Sequence, residues 1–449
     1  MSAGDPAAGE LFGPLFATDR QLEAVSATFW LQAMLDAEAA LAGAEAIAAA
    51  CRAERFDAAE LGRAARGGGN PVIPLVAALE AAVPAEARAW VHHGATSQDI
   101  LDTAAVLMAR RALIAMDTDL RDLAAGCATL AGRHRATLMA GRTLLQQALP
   151  ITFGLKAAGW LVAVLDARRL LADAEARLAV QLGGAAGTLA SLGHHGPAVV
   201  ERFAARLGLP EPVLPWHTAR QRIAELGAAL AVTTGCAAKI AGDVGLLAQS
   251  EVGEAAEPAG PGRGGSSTLP HKRNPVGAAL ARAAAARAQA LAGVLLGALV
   301  AEHERPLGAW HSEWQPLTEL LGLCGGAVAR TAETVAGLEV DPAAMAANLD
   351  ASRGTLLAER ISLALAATLG RSAAHRLVAD AARRSTERGS SLADELRTDP
   401  TVRTGLDLDG APARLDELLD AAGYLGATDA WIDRALAAYA ELPPRLAGA

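Results

Sequence analysis

Aromatic side chains are scarce in this 449-residue chain: Phe, Trp and Tyr supply 3% of it, although hydrophobic residues supply 52%. The apolar content is therefore carried by Ala, Leu and Val. Ala and Leu are strong helix formers, so the composition points to a mainly α-helical fold. Cysteine is also rare. Cys51, Cys127, Cys236 and Cys324 lie far apart and form no CxxC pair, which argues against a zinc site and against a disulfide framework. Buried thiols in a reducing compartment are the expectation. The N-terminal stretch lacks a basic start followed by an apolar core, so no secretory signal is expected, and a cytoplasmic location is. The apolar stretch 288–301 is shorter than the roughly 20 residues a membrane span needs. With a net charge of −9 and no basic stripe, neither nucleic acid nor a membrane is expected as a partner. There is no internal repeat and no low-complexity tail.

What the chain does have is helical periodicity, over a length sufficient for two or three domains. From about 28 to 52 it reads as one amphipathic helix, with Trp30, Met34, Ala37 and Leu41 on one face. The clearest pattern comes later. Ile223, Leu226, Leu230, Thr233, Ala237, Ile240, Val244 and Leu247 alternate spacings of three and four without a slip, the mark of a bundle seam. Other long helices are expected at about 102–133, 151–178, 276–302 and 315–338, and together they imply a central bundle. Helices this long and apolar leave surface uncovered in a monomer, so association through the bundle is expected. After about Val340, turn signals separate shorter helices. The expected division is an N-terminal helical domain at 1–105, a central bundle at 106–345 and a C-terminal helical domain at 346–449.

Three stretches concentrate polar groups that a bundle alone does not need. In HHGATSQDILDTA, 92–104, Thr96 and Ser97 precede a helix with Asp99 and Asp102 in or near its first turn, as suits a helix N-cap. His92 and His93 beside two hydroxyls also suit proton transfer and anion binding where they face a cleft. In GRTLLQQALPITFGLK, 141–156, Pro150 fits a helix start, and Gln146 and Gln147 either orient a polar ligand or cap a turn. The glycine run QLGGAAGTLA, 181–190, has no preceding strand, so it reads as a close-packed turn rather than a dinucleotide loop. The third stretch is GGSSTLPHKRNP, 264–275. Its glycines let the amides of Ser266 and Ser267 approach an anion, while Lys272 adds a point charge and Asn274 a neutral donor.

GGSSTLPHKRNP closely resembles the GSSxMPxKxNP signature of the fumarase/aspartase/adenylosuccinate lyase superfamily, with Leu269 in place of Met. HHGATSQDILDTA and GRTLLQQALP resemble two further segments of that superfamily, in the expected order. LFGPLFATDRQ, GNPVIPLV, KIAGDVGLLAQSEVGEAAEP, GAWHSEWQPL and NLDASRG resemble its branch that cyclises 3-carboxy-cis,cis-muconate in bacterial protocatechuate catabolism. Two departures from the wider superfamily favour that branch. The superfamily's His of GRTHxQ is Leu144 here, and its Glu after the signature is Ala279. An enzyme lacking that acid pair needs a leaving group that departs without strong protonation, as a lactone carboxylate does. The resemblance implies a three-domain, all-α fold with a central long-helix bundle, and a homotetramer with composite sites acting on a small polycarboxylate. It implies Ser267, or less favourably Ser266, for proton transfer, with His92 binding or shuttling a proton. Lys272 and Asn274 would stabilise an enolate-like intermediate, and Thr96, Ser97, Gln146 and Arg305 would bind carboxylates. No metal or organic cofactor is implied. The alternative is another lyase of the superfamily, eliminating fumarate from adenylosuccinate, argininosuccinate or an amino- or nitrosuccinate.

Overall fold

A computed structural model describes residues 9–260, 264–265, 268–269, 271–409 and 413–444. Short helices come first: α1 (Gly9–Phe16), α2 (Asp19–Ala24), α3 (Ala27–Ala42), α4 (Glu45–Ala50), α5 (Ala58–Ala64) and α6 (Val72–Ala82). The single helix expected over 28–52 is thus two. The Ser26 hydroxyl caps α3 by accepting the Phe29 N–H at 3.1 Å, and Gly43 ends it at φ +62°. A side chain at that left-handed φ is strained, so glycine terminates the helix there.

The bundle follows, with α7 (Ser97–Arg133), α8 (Phe153–Glu175), α9 (Gly196–Leu207), α10 (Gln221–Leu247), α11 (Val276–Gly297) and α12 (Ala309–Ala336). All eight residues of the predicted seam are buried along α10, where α8, α11 and α12 pack against it. Helix α12 starts earlier than the pattern indicates and carries Pro316 within it. Helices α10 and α11 are long and apolar enough, by length and composition, to cross a membrane. In this fold they pack on each other and on α12, as bundle helices. Cys51, Cys127 and Cys324 are buried and unpaired, and burial pushes each thiol up to about 12.

Among the described residues, two small antiparallel pairs interrupt the helices. Strands β1 (Leu138–Thr143) and β2 (Gln146–Thr152) form a hairpin, and β3 (Ala255–Ala256) pairs with β4 (Glu339–Val340). The hairpin corrects one expectation: Pro150 lies in β2 opposite Ala140, not at a helix start. A proline without an N–H is tolerated on such an edge strand, and α8 begins only after Thr152, whose hydroxyl accepts the Leu155 N–H at 3.1 Å.

The remaining helices are α13 (Pro342–Asp350), α14 (Ala358–Leu369), α15 (Arg371–Arg388), α16 (Leu392–Arg397), α17 (Pro400–Gly405), α18 (Arg414–Leu418) and α19 (Thr428–Ala440). Ile361, Leu365, Val378, Leu392, Leu396 and Val402 belong to a second, separate core. Helix α19 instead returns to α8 and α7, and its Ile432 and Ala435 join the main core. Residue 105 falls inside the unbroken α7.

Gly326 of α12 lies against the backbone of Phe16 and Ala17, where a Cβ would overlap the Phe16 carbonyl. Gly326→Ala should therefore destabilise the fold by about 1–3 kcal/mol through overpacking, read as a lowered urea midpoint. An unchanged midpoint would contradict this packing of the N-terminal segment on α12.

Candidate active site

The start of α7 is fixed by two carboxylates on its inner face. Asp99, fully buried, accepts the Thr96 N–H at 2.9 Å, so the capping role expected of this stretch is real. It also accepts the N–H groups of Gly183 and Gly184, both at 2.9 Å, and lies 2.7 Å from His217 Nε2. The glycine run at 181–190 is therefore a turn that closes on a carboxylate of its own chain. One turn on, Asp102 receives Arg220 Nη1 at 2.7 Å and Nη2 at 3.1 Å, together with Trp310 Nε1 at 3.0 Å. Arg220 reaches on to Glu313, with Nε donating at 2.9 Å.

Arg220 is only 2% exposed. Burial opposes its charge, but Asp102 and Glu313 outweigh that and hold the guanidinium protonated above its ordinary range. Burial pushes the Glu313 carboxyl up, against the pull of Arg220. These groups are committed to one another, and what they leave for a ligand is the rim around them. Thr96 and Ser97 are half-buried on that rim. Arg305 donates Nε to Gln98 Oε1 at 3.1 Å, while its Nη2 is buried with no partner among the described residues. His92 lies 2.6 Å, through Nδ1, from Glu38.

The second stretch is the β1–β2 hairpin. Its tip residues Leu144 and Leu145 have φ of +50° and +65°, and Leu144 is 96% exposed. Gln146 is exposed beside them, and Gln147 donates to the Asn348 carbonyl at 3.2 Å. The base is anchored by Arg142, which grips the buried Glu254 with two hydrogen bonds of 2.7 and 2.8 Å. Asn348 Nδ2 donates to the same carboxylate at 2.8 Å.

The third stretch lies beyond α10. Ser266 and Ser267 are outside the described residues. Lys272 is exposed, and Asn274 is half-buried. The Asn274 N–H donates to the Gly264 carbonyl at 2.8 Å, and its Nδ2 donates to Gly264 at 3.3 Å and to Gly265 at 3.4 Å. Gly264, at φ +64°, lies too close to Asn274 for any side chain. Glu257 accepts the N–H groups of Gly277 and Ala278 at 3.0 and 2.7 Å, which sets a carboxylate at the start of α11 beside Ala279. An open cleft of about 1080 Å³ is lined by Gln249, Ser250, Glu257, Lys272, Asn274 and Asp341, among others.

The expected site residues therefore fall into two groups. His92, Thr96, Ser97 and Arg305 gather where α10 begins, because Arg220 at its start pairs with Asp102 and Arg305 follows the end of α11. Gln146, Lys272 and Asn274 belong to the opposite end, where the hairpin is tied to Glu254 past the end of α10 and α11 starts. Between the two lie the lengths of α10 and α11, roughly 40 and 33 Å at 1.5 Å per residue. Sequence reasoning missed Glu38, Arg220, Glu257 and Glu313. Glu257 and Glu313 lie inside segments that carry the resemblance and Arg220 stands at the head of the apolar seam, but nothing marked Glu38.

The chain matches two sequence families, one described as Lyase over residues 18–290 and one as Adenylosuccinate lyase C-terminus over residues 354–435. It is 46% identical to a 3-carboxy-cis,cis-muconate cycloisomerase of Bradyrhizobium diazoefficiens, covering 95% of this chain and 97% of that protein. It is 47% identical to a nitrosuccinate lyase of Streptomyces davaonensis, covering 95% and 94%. Among solved structures, the 3-carboxy-cis,cis-muconate lactonizing enzyme from Pseudomonas putida superposes with a TM-score of 0.90 at 42% identity, over 96% of this chain and 99% of that one.

Replacing Arg220 with Met would leave Asp102 and Glu313 buried without their cation. Arg220→Met should cost about 3–5 kcal/mol of stability, measured by urea unfolding. A loss below about 1 kcal/mol would show that this network is not what fixes the α7 end.

Proposed function

Given that the chain belongs to the lyase superfamily of fumarase and adenylosuccinate lyase, we propose that it is the cycloisomerase that closes 3-carboxy-cis,cis-muconate to carboxymuconolactone. The reaction is an intramolecular addition: a substrate carboxylate oxygen bonds to a conjugated alkene carbon, and the neighbouring carbon takes up one proton. Written backwards, it is a β-elimination in which the carboxylate leaves. The missing acid pair supports a leaving group that departs without protonation, and the likeness to the cycloisomerase of Bradyrhizobium diazoefficiens supports the substrate. Leu144 stands bare at the hairpin tip and Ala279 lies in the first turn of α11, so neither can protonate a leaving group. A carboxylate needs no such help.

In this reading, charge accumulates on the carboxylate next to the protonated carbon, and Lys272 stabilises it electrostatically. Asn274 shapes the loop through Gly264 and offers its amide to the same charge. Ser267 transfers the proton, with Ser266 as its neighbour. Thr96, Ser97, Gln146 and the free edge of Arg305 hold the other carboxylates, a task suited to a guanidinium. His92 completes the set. Because these groups belong to opposite ends of one subunit, a working site needs a second copy, and the long helices of a homotetramer supply it. The three-part division near 105 and 345 and a cytoplasmic location belong to the same proposal.

A second reading is supported by the nitrosuccinate-eliminating relative. Nitrite, like a carboxylate, leaves without strong protonation, so the missing pair does not separate the two. An ultraviolet assay does. Loss of the diene absorbance of 3-carboxy-cis,cis-muconate is expected with the wild type and not with Ser267→Ala. No loss with folded protein, together with fumarate release from nitrosuccinate, would establish the second reading instead. The composite site has its own test. Mixing His92→Asn and Ser267→Ala chains, followed by subunit exchange, should restore activity at roughly one site in four. No recovery in verified mixed oligomers would contradict a site shared between subunits.

A further inference from the structure

Glu38 lies on α3, outside every motif that carries the lyase resemblance, and is completely buried. A carboxylate withdrawn from water needs hydrogen-bond donors and a counter-charge. One residue supplies both. Glu38 Oε2 accepts the backbone N–H of His92 at 3.1 Å, and Oε1 lies 2.6 Å from His92 Nδ1. His92 itself sits at φ +55°, a left-handed conformation that costs a non-glycine residue on the order of 1 kcal/mol. Two bonds to one carboxylate thus hold a strained residue in a single orientation. With Nδ1 engaged, Nε2 is the free end of a ring that keeps 20% of its side-chain surface exposed.

We propose that Glu38 is a positioning residue of the active site, which orients His92 so that its Nε2–H donates to a substrate carboxylate. The inference rests on the reading of His92 as a site residue and adds the group through which it acts. Three carboxylates act on the charge of the ring: Glu38 from α3 in contact, with Asp99 from α7, already engaged with His217, and Glu80 from α6 farther off. Burial works against the imidazolium, but the hydrogen bond and charge of Glu38, with Asp99 and Glu80 behind it, outweigh burial and raise the ring above its ordinary value. The cationic donor therefore persists to higher pH than in an exposed histidine and is lost as pH rises further. A His–carboxylate pair is present in this chain even though the pair displaced by Leu144 and Ala279 is not.

The experiment uses the full-length Glu38→Gln variant and two readouts. The first is the pH dependence of diethyl pyrocarbonate modification of His92, followed by peptide mass spectrometry; the reagent attacks the neutral ring. The second is kcat and KM for 3-carboxy-cis,cis-muconate against pH. Glu38→Gln should move the His92 midpoint down by about one pH unit or more, raise KM, and shift the alkaline limb of kcat/KM by the same amount. In a His92→Asn background it should change KM no further. Glu38→Asp, which keeps the charge, should retain most of the midpoint and serves if Glu38→Gln does not fold. Loss of thermal stability with an unmoved midpoint and an unmoved limb would overturn the proposal. If the wild type does not turn over carboxymuconate, the cycloisomerase reading fails separately, and the modification midpoint still decides whether Glu38 acts on His92.

Discussion

The structure turns on one buried arginine. Arg220 stands at the head of α10 and bridges Asp102 of α7 to Glu313 of α12, so three long helices meet at a single guanidinium. Desolvating such a group is costly, and a buried ion network is poor evidence for stability as such. What the network supplies is geometry, because every donor of the guanidinium has a fixed direction. Asp99, one turn before Asp102, extends it to the 183–184 turn and to His217. The rim residues Thr96, Ser97 and His92 and the arginine at 305 hang from this frame. The hydroxyls and the histidine inherit its rigidity.

The same bundle that fixes one end of the site separates it from the other. Helices α10 and α11 run between the Arg220 frame and the signature loop, and no flexing of a packed bundle brings their ends together. The loop end has its own frame. Arg142 and Asn348 converge on Glu254, Glu257 closes on the first turn of α11, and Arg273 donates to both carboxylate oxygens of Glu339 at 3.0 Å. Two rigid half-sites at opposite ends of parallel rods are what an antiparallel association of identical subunits can unite. Under the proposed shared site, the long apolar helices that make the fold would also be the surface that completes it.

Much of this was legible in the sequence, and the reasons differ by element. The α10 seam could be read directly, since burial on one face of a helix writes a three-four period into the chain. The break at Gly43 and the hairpin at 138–152 could not. A single glycine in a helical pattern is ambiguous, and LLQQALP has neither the alternation nor the turn residues of an ordinary hairpin, its tip being two leucines at positive φ. The polar stretches were found because hydroxyls and basic groups stand out in an alanine-rich chain. Their partners were not. Glu38 lies 54 positions from His92 on an otherwise ordinary helix, and only the fold brings the two together. Asp99 and Asp102 were visible as cap residues, but their burial and their partners on distant segments were not.

The central claim is that this fold closes a lactone by adding a carboxylate across a conjugated double bond and protonating the neighbouring carbon. The most direct test is to run the reaction on 3-carboxy-cis,cis-muconate in D2O and identify the product by NMR. The account predicts carboxymuconolactone carrying one deuterium on the carbon next to a carboxylate. Unchanged substrate, or a lactone with no deuterium at that carbon, would contradict it.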